Sequence, residues 1–161
     1  MTNSHSYEAW MAHALGLARE AAALGEVPVG AVVLDPMGKL IAEGRNQPIA
    51  GQDPTAHAEI VAMRRAAEHL GNYRLTSCTL IITLEPCAMC AGAIAHARIG
   101  HVVYGADDPK GGAIAHGPKL FEQPTLHHRP NVTSGVMAEE SSRLLKDFFA
   151  ARRKQKSGSH L

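Results

Sequence analysis

The sequence predicts an α/β fold in which helices cover both faces of a mixed sheet. Short apolar segments alternate with longer amphipathic segments along most of the 161 residues, a pattern typical of layered α/β proteins. The first two apolar segments are joined by the turn Asp35-Pro36-Met37-Gly38, which predicts a hairpin and therefore at least one antiparallel pairing.

In the first half of the chain, apolar periodicity and glycine or proline boundaries define the predicted elements. A helical stripe of apolar residues ends at Gly25. Asp53-Pro54-Thr55 has the composition of a helix start, with Asp53 or Thr55 as the N-cap and Pro54 near the first position. The predicted elements are a helix over 6–24, strands over 29–34 and 39–43, and a helix from 53 or 55 to 70.

In the second half, threonines mixed with leucine and isoleucine predict a strand, and Pro86 predicts the start of the next helix because its fixed φ suits that position. The long segment 107–130 is rich in glycine, proline and histidine, and such a loop is typically functional or contains short helices. The predicted elements are strands over 78–84, 101–104 and 131–134 and helices over 86–97 and 139–154.

Length and composition define the class of protein. We expect one domain over 1–161, with a core of about 7–153, a short polar N-terminus and a basic C-terminal tail. A hydrophobic content of 45% and a charged content of 19% are those of an ordinary globular protein. We find neither a signal-peptide pattern nor an apolar run of membrane-spanning length. Because three cysteines do not form a disulfide framework, we expect a protein of the reducing cytoplasm.

The net charge of +1 provides no general basic surface for nucleic acid. The dense cationic cluster of the sequence is Arg-Arg-Lys-Gln-Lys at residues 152–156. This cluster either supplies a local nucleic-acid contact or complements the dipole at the C-terminal end of a helix.

Two short motifs carry the candidate chemistry, His57-Ala58-Glu59 and Pro86-Cys87-Ala88-Met89-Cys90. Together they supply an imidazole and two thiols, which suit zinc, and a carboxylate that suits proton transfer. Three protein ligands leave the fourth zinc position open, as in catalytic sites, where the metal brings the pKa of a bound water toward neutrality.

Both motifs are predicted to open helices. With Pro86 at the first helical position, Cys87 and Cys90 lie three residues apart in the first turn, where the helix dipole favours thiolates. His57 and Glu59 are two residues apart and cannot share one helix face, so both reach one ion only if the metal lies over the helix end. We therefore expect two helix N-termini to point at a single metal.

Each motif alone has simpler interpretations. The Cys87 and Cys90 pair has the spacing of a redox dithiol or of half a four-ligand structural zinc site. A His-x-Glu pair alone is most often part of a solvated helix surface. The third cysteine, Cys78, lies in an apolar strand and supplies no second ligand pair. The occurrence of both motifs at predicted helix starts favours a catalytic zinc site.

The two motifs and several further segments resemble those of the zinc-dependent cytidine and deoxycytidylate deaminase superfamily, and most specifically those of the bacterial tRNA-specific adenosine deaminases. The resemblance extends from about residue 7 to about residue 153. The zinc motifs indicate the superfamily, whereas the other segments favour the tRNA branch. The matching segments are EVPVGAV (26–32), GRNQP (44–48), DPTAHAEI (53–60), NYRL (72–75), TLEPCAMCAGA (83–93) and DFF (147–149).

The resemblance implies a three-layer α/β/α cytidine-deaminase-like fold with a mixed five-stranded sheet and the two zinc helices side by side. It implies deamination of adenosine to inosine at the wobble position of a tRNA anticodon, with one Zn²⁺ per subunit bound by His57, Cys87 and Cys90. Glu59 would take a proton from the attacking water and pass it to the ring nitrogen and then to the leaving ammonia. The implied partners are the tRNA anticodon stem-loop and a second copy of the chain in a homodimer.

The resemblance also implies a set of substrate contacts. Asn46 would hydrogen-bond the purine, although an asparagine before Gln47-Pro48 also suits a turn. Leu84 would border the pocket or belong to the core, and Phe149 would stack on a base or pack its own helix. The implied substrate-binding residues are Val27, Pro28, Val29, Asn46, Leu84, Glu85, Asp108, Lys110, Phe149 and Arg153.

One segment departs from the family pattern. Where the family has Lys-Thr-Gly-Ala-Ala-Gly, this chain has KGGAIAHG at residues 110–117. The departure affects the expected RNA-contacting loop and leaves the zinc motifs intact. His127 and His128 follow near the loop that contacts the anticodon in this family, and two adjacent histidines are otherwise typical of a surface.

Two other functions share part of this pattern. A deaminase of a free base or nucleoside, such as guanine or cytosine, needs the zinc ligands and Glu59 but not Phe149 or Arg153. A zinc-stabilised RNA-binding module that catalyses nothing has no use for the Glu59 carboxylate.

Overall fold

Five strands and five α-helices make up the computed structural model, which describes residues 4–158. Residues 1–3 of the predicted polar N-terminus and residues 159–161 of the predicted tail lie outside the described residues. The elements in chain order are α1 (Ser4–Ala23), β1 (Gly30–Leu34), β2 (Leu40–Arg45), α2 (Pro48–Gly51), α3 (Ala58–Leu70), β3 (Thr79–Leu84), α4 (Ala88–Ala97), β4 (His101–Ala106), a 3-10 turn (Leu120–Glu122), β5 (Asn131–Thr133) and α5 (Ala138–Gly158).

The strands form one mixed sheet in the order β2-β1-β3-β4-β5. Strand β1 pairs antiparallel with both β2 and β3. Strand β4 pairs parallel with β3 on one side and with β5 on the other. The structure therefore confirms the predicted five-stranded mixed sheet.

Helices cover both faces of this sheet, and the alternation of side chains along β1 shows how. Val32 packs in a buried cluster with Met11 and Leu15 of α1. Val33, one residue later, points to the other face and packs in the cluster that contains Ile60 of α3 and Ile94 of α4. The predicted three-layer α/β/α arrangement is confirmed. None of the helices within residues 4–158 combines the length and the apolar character needed to cross a bilayer.

One end of the sheet collects the loops that carry the chemistry. Gly30 at the start of β1 pairs with Arg45 at the end of β2. Leu84 at the end of β3 pairs with Ala106 at the end of β4. The segments that follow β2, β3 and β4 and the segment that precedes β1 therefore meet at the same edge.

Helix α3 lies unusually close to β2 at this end. A Cβ atom on Gly44 would lie 2.7 Å from the carbonyl oxygen of Ala58 and 2.8 Å from the backbone nitrogen of Ala62. Only glycine permits this approach. The first turn of α3 is thereby positioned beside the end of β2.

The predicted starts of the two helices that begin within the His-x-Glu and Cys-x-x-Cys motifs are wrong by a few residues. α3 begins at Ala58 instead of 53 or 55, and α4 begins at Ala88 instead of Pro86. The carboxylate of Asp53 accepts the backbone N–H and the hydroxyl of Thr55 at 2.9 and 2.7 Å, which forms a tight turn before the helix. Asp53 therefore stabilises a turn and does not cap α3.

The short helix α2 was not predicted. Pro48 occupies its first turn, and the buried carboxylate of Glu26 accepts the backbone N–H groups of Ile49 and Ala50 at 3.2 and 2.8 Å. Glu26 lies more than twenty residues earlier in the chain, so no local pattern indicated this cap. The contact ties α2 to the segment that precedes β1.

Candidate active site

Two helix N-termini meet where the loops converge, as predicted. His57 is the N-cap residue of α3, and Cys87 is the N-cap residue of α4; both have extended backbone with ψ of 154° and 176°. Their carbonyl groups accept the first helical hydrogen bonds, from Val61 at 3.0 Å and Ala91 at 2.8 Å. The two side chains therefore project from the helix ends and not from a helical face.

Three ligand atoms come together between these helix ends. Nδ1 of His57 lies 3.5 Å from Sγ of Cys90 and 3.7 Å from Sγ of Cys87. Zn–N bonds of about 2.05 Å and Zn–S bonds of about 2.3 Å at a tetrahedral angle place nitrogen and sulfur about 3.6 Å apart. The donor set and its spacing fit zinc.

The ligand group has three members among residues 4–158, since no other His, Cys, Asp or Glu in that range joins it. Cys78 is buried elsewhere and remains a free thiol, which argues against a four-ligand structural site. The predicted open fourth position is consistent with this geometry.

Each of the two thiols shifts the pKa of the other. A hydrogen bond from Cys90 lowers the pKa of Cys87 to about 4. The neighbouring Cys87 sulfur and burial raise the pKa of Cys90. A hydrogen bond to Cys87 also raises the pKa of His57. These opposite shifts favour the thiolate form of Cys87 and the protonated form of Cys90 in the absence of a metal.

Glu59 lies at the second position of α3, within the same site. Its side chain is buried, with 3% of the residue exposed. Burial raises the pKa of the Glu59 carboxyl to about 7. A group with this pKa both accepts and donates protons near neutral pH.

A cavity of about 300 Å³ opens onto the ligand group. It brings together His57, Cys87 and Glu59 with six of the substrate-binding residues predicted from the sequence. The complete lining is Val27, Val29, Asn46, His57, Glu59, Leu84, Glu85, Cys87, Asp108 and Gly111.

Asn46 links the cavity to the N-terminus of α3. Its Oδ1 accepts the backbone N–H of Ala58, the first residue of α3, at 3.2 Å. Its own backbone N–H donates to the carbonyl oxygen of Val29 at 3.0 Å. With Oδ1 engaged, the Nδ2 group is the part of the side chain left to donate to a molecule in the cavity.

Four of the predicted substrate-binding residues do not line the cavity. Pro28 is buried between two lining residues, and Lys110 is exposed. Phe149 and Arg153 lie on α5, exposed at the surface. Arg152 donates to the carbonyl oxygen of Gly25 at 3.4 Å, which places the end of α5 beside the segment that precedes β1. The roles of all four residues stay predictions.

The two adjacent histidines have different surroundings. His128 donates from Nε2 to the carbonyl oxygen of Ile99 at 2.7 Å, which is a structural contact. His127 is exposed, and its ring lies 5.5 Å from that of His96. Neither residue lines the cavity.

The sequence did not single out Gly111 or the true role of Glu85. Glu85 lines the cavity, but both of its oxygens accept hydrogen bonds from the segment 108–116. Burial acts to raise the pKa of Glu85, and these hydrogen bonds outweigh it, so that the pKa is lowered. A glutamate directly before the metal motif and a glycine pair at 111–112 were the available signals.

Comparison with known proteins extends these findings. Residues 4–106 match the family described as the cytidine and deoxycytidylate deaminase zinc-binding region, and this range includes His57, Cys87 and Cys90. The match confirms zinc as the predicted cofactor. The chain is 52% identical over 149 residues to a tRNA-specific adenosine deaminase of Haemophilus influenzae, covering 92% of this chain and 86% of that protein.

Solved structures show the same likeness. One comes from a study of A-to-I editing by tRNA:A34 deaminases at the wobble position of transfer RNA; it has a TM-score of 0.80 and 50% identity and covers 82% of this chain and 95% of that chain. Another, from a study of guanine deaminase from Nitrosomonas europaea, has a TM-score of 0.72 and 27% identity and covers 89% of this chain and 84% of that chain.

Proposed function

The chain belongs to the zinc-binding cytidine and deoxycytidylate deaminase family, and we propose that it converts adenosine to inosine at the wobble position of a tRNA anticodon. The observation that carries this proposal is the cavity in which Glu59 and Asn46 face the zinc ligands His57 and Cys87. High identity to a tRNA-specific adenosine deaminase and to a tRNA:A34 deaminase structure supports the choice of substrate.

The zinc ligands set up the reaction. His57 through Nδ1 and Cys87 and Cys90 through their sulfurs would hold the metal over the two helix ends. Zinc in such a site supplies an open position and an acidified water for attack on the ring carbon that carries the exocyclic amine. The positive ends of two helix dipoles favour the thiolate form of the ligands.

Glu59 is the proposed proton carrier. Its buried carboxylate takes a proton from the attacking water and delivers it to the adjacent ring nitrogen of adenine. After attack, the tetrahedral carbon loses the amine, which leaves as ammonia with a second proton carried by Glu59. Water and adenosine are consumed, and inosine and ammonia are formed.

The remaining cavity residues would hold the base. Nδ2 of Asn46 donates to an acceptor nitrogen of the purine, because Oδ1 already caps α3. Val27, Val29 and Leu84 supply apolar contacts to the ring faces. A cavity of about 300 Å³ suits one base turned out of its stack and not a folded RNA.

The rest of the anticodon stem-loop would lie on the surface around the cavity. We propose Asp108, Lys110, Phe149 and Arg153 as contacts there, of which Asp108 also lines the cavity. The exposed ring of Phe149 suits base stacking, and the Arg153 guanidinium suits phosphate. Both lie on α5, whose end reaches the segment next to the cavity wall.

We also propose that the chain acts as a single deaminase domain, as a homodimer and in the cytoplasm. An apolar groove of about 380 Å³ between α3 and α4, lined by Ile60, Met63 and Ala93 among others, supports a contact with a second copy. Such a contact would lie beside the helices that carry the ligands. Ligation through two free thiolates supports a reducing compartment.

A second candidate is deamination of free guanine, favoured by the similarity to the Nitrosomonas europaea structure. The two functions are separated by incubating the protein with an anticodon stem-loop and, in parallel, with free guanine and free cytosine. We expect inosine in the stem-loop and slow or undetectable turnover of both bases. Turnover of either base without any reaction of the stem-loop would reject the proposal.

A further inference from the structure

The buried carboxylate of Glu85 accepts hydrogen bonds from a loop at one side of the cavity. The side chain of Glu85 is 0% exposed. Its Oε1 accepts the backbone N–H of Asp108 at 3.0 Å, and its Oε2 accepts those of Ile114, Ala115 and His116 at distances between 3.0 and 3.2 Å. The segment 108–116, called the mouth loop below, is thus closed around one acidic group.

His116 adds a side-chain bond to this arrangement. Its Nδ1 donates to Oε1 of Glu85 at 2.8 Å, the shortest of the five contacts. Among residues 4–158, no other side chain donates a hydrogen bond to Glu85. A hydrogen bond to a buried ionised group is stronger than a neutral one.

The cluster of Glu85, Asp107 and His116 resembles a metal site in composition only. A carboxylate offers about four lone-pair positions, and Glu85 already accepts five hydrogen bonds. A Cβ atom on Gly112 would lie 2.4 Å from the carboxyl group, so the loop leaves no space beside it. The arrangement serves to anchor the loop.

The anchor, meaning the hydrogen bonds that Glu85 accepts from the mouth loop, holds residues that line the cavity. Asp108 and Gly111 of the mouth loop line the cavity. The Asp108 carboxylate accepts the N–H of Gly111 at 3.0 Å, and the Asp108 carbonyl oxygen accepts the N–H of Gly112 at 2.8 Å. Because Asp108 bonds to Glu85 and to both glycines, the position of this part of the cavity wall depends on the hydrogen bonds of Glu85.

We propose that His116 is a positioning residue which, through Glu85, fixes the mouth loop and thereby sets the affinity for the RNA substrate. The part of this inference that concerns RNA rests on the proposed function. The mouth loop contains no proposed zinc ligand, and the backbone N–H of Glu85 donates to the carbonyl oxygen of Ala106 at 2.9 Å independently of His116. The chemical step is therefore not expected to depend on His116.

The test compares His116→Ala with His116→Asn, whose side-chain N–H₂ can replace the Nδ1 donor. His69→Ala, an exposed histidine in the last turn of α3, is the matched control. We measure kcat and KM with an anticodon stem-loop, and backbone hydrogen exchange at Ile114 and Ala115. His116→Ala is expected to raise KM about tenfold, to leave kcat within about twofold and to speed exchange at both amides about tenfold.

His116→Asn is expected to return KM and the exchange rates of the two amides to near the values of the wild type and of His69→Ala. An unchanged KM in His116→Ala, a fall in kcat alone, or no rescue by asparagine would overturn the inference. Hydrogen exchange distinguishes a failure of this inference from a failure of the proposed function. A wild type inactive on the stem-loop rejects the function, whereas unchanged exchange in His116→Ala rejects the anchor.

Discussion

Oδ1 of Asn46 accepts the backbone N–H of Ala58 at 3.2 Å, so a residue that lines the cavity caps the helix that begins beside the predicted zinc ligand His57. An N-cap side chain usually makes such a bond itself. Here the N-cap residue is His57, and its imidazole faces the sulfurs of Cys87 and Cys90. Asn46 makes the capping bond instead, which leaves the His57 imidazole available for its proposed role as a zinc ligand.

Two substitutions separate the roles of Asn46. Asn46→Asp keeps an acceptor for Ala58 but removes the Nδ2 donor, whereas Asn46→Ala removes both. We expect Asn46→Ala to lower the free energy of unfolding by about 1 kcal/mol, and Asn46→Asp to lower it by less. Both variants are expected to lose at least about tenfold in kcat/KM. Denaturant unfolding and stem-loop kinetics measure the two effects, and equal stability losses would refute the capping role.

Removal of the Glu59 carboxylate tests proton transfer. Glu59→Gln keeps the size of the buried side chain and cannot carry a proton. We expect kcat to fall roughly a hundred- to ten-thousand-fold, with zinc content and thermal stability maintained. Inosine release and metal analysis on the same preparation check this. Full activity in the variant would contradict the proposed mechanism.

Loss of a metal ligand is expected to act differently from loss of a cysteine outside the site. Cys90→Ser replaces a thiolate that zinc prefers, and chelation removes the metal itself. Both are expected to abolish activity and lower the melting temperature, because bound metal stabilises only the folded chain. Re-addition of Zn²⁺ is expected to restore the chelated wild type but not Cys90→Ser.

Cys78→Ala is the matched control for that experiment. Cys78 is buried and does not belong to the ligand group. We expect this variant to keep a full complement of zinc, although the small cavity lowers its stability by about 1 kcal/mol. Zinc loss in Cys78→Ala comparable to that in Cys90→Ser would contradict the assigned ligands.

Acid is expected to destabilise the fold through His101. Burial lowers the pKa of His101 from its ordinary 6.5, and its ring contacts Tyr7 and Thr133 at 3.0 and 2.8 Å. The unfolded chain therefore binds the proton more readily than the folded protein. The contribution of His101 is complete above pH 6.5 and is lost as the pH falls through the lower pKa of the folded state.

The variant His101→Gln isolates this effect, since glutamine keeps polar contacts and does not titrate. We compare the free energy of unfolding of both proteins between about pH 7.5 and about pH 5. The wild type is expected to lose more stability over this interval than the variant. Parallel pH profiles would show that His101 does not contribute.

The sequence predicted the features that depend on local patterns. The alternation of apolar and amphipathic segments predicted the layers of the fold. The two short motifs predicted His57, Cys87 and Cys90 as ligands, and the structure brings these three side chains together. Helix starts were predicted less well, because Asn46 caps α3 from a distance and Asp53 stabilises a turn instead. Local composition does not contain such long-range bonds.

The cavity mouth was the least predictable part of the site. Glu85 was expected to border the pocket, but nothing in the sequence indicated that it would accept five hydrogen bonds from the mouth loop. Likewise, the cap that Glu26 provides for α2 spans more than twenty residues. Both contacts depend on the loops being brought together by the sheet, and so they follow from the fold and not from a motif.

The most direct test of the proposed activity is to measure inosine formed in an isolated anticodon stem-loop that has adenosine at the wobble position. The zinc content is measured on the same protein sample. A stem-loop that carries its adenosine one position away serves as the control. We predict inosine at the wobble position alone and one zinc ion per chain. Absence of inosine from a fully zinc-loaded protein, or equal reaction of both stem-loops, would contradict the account.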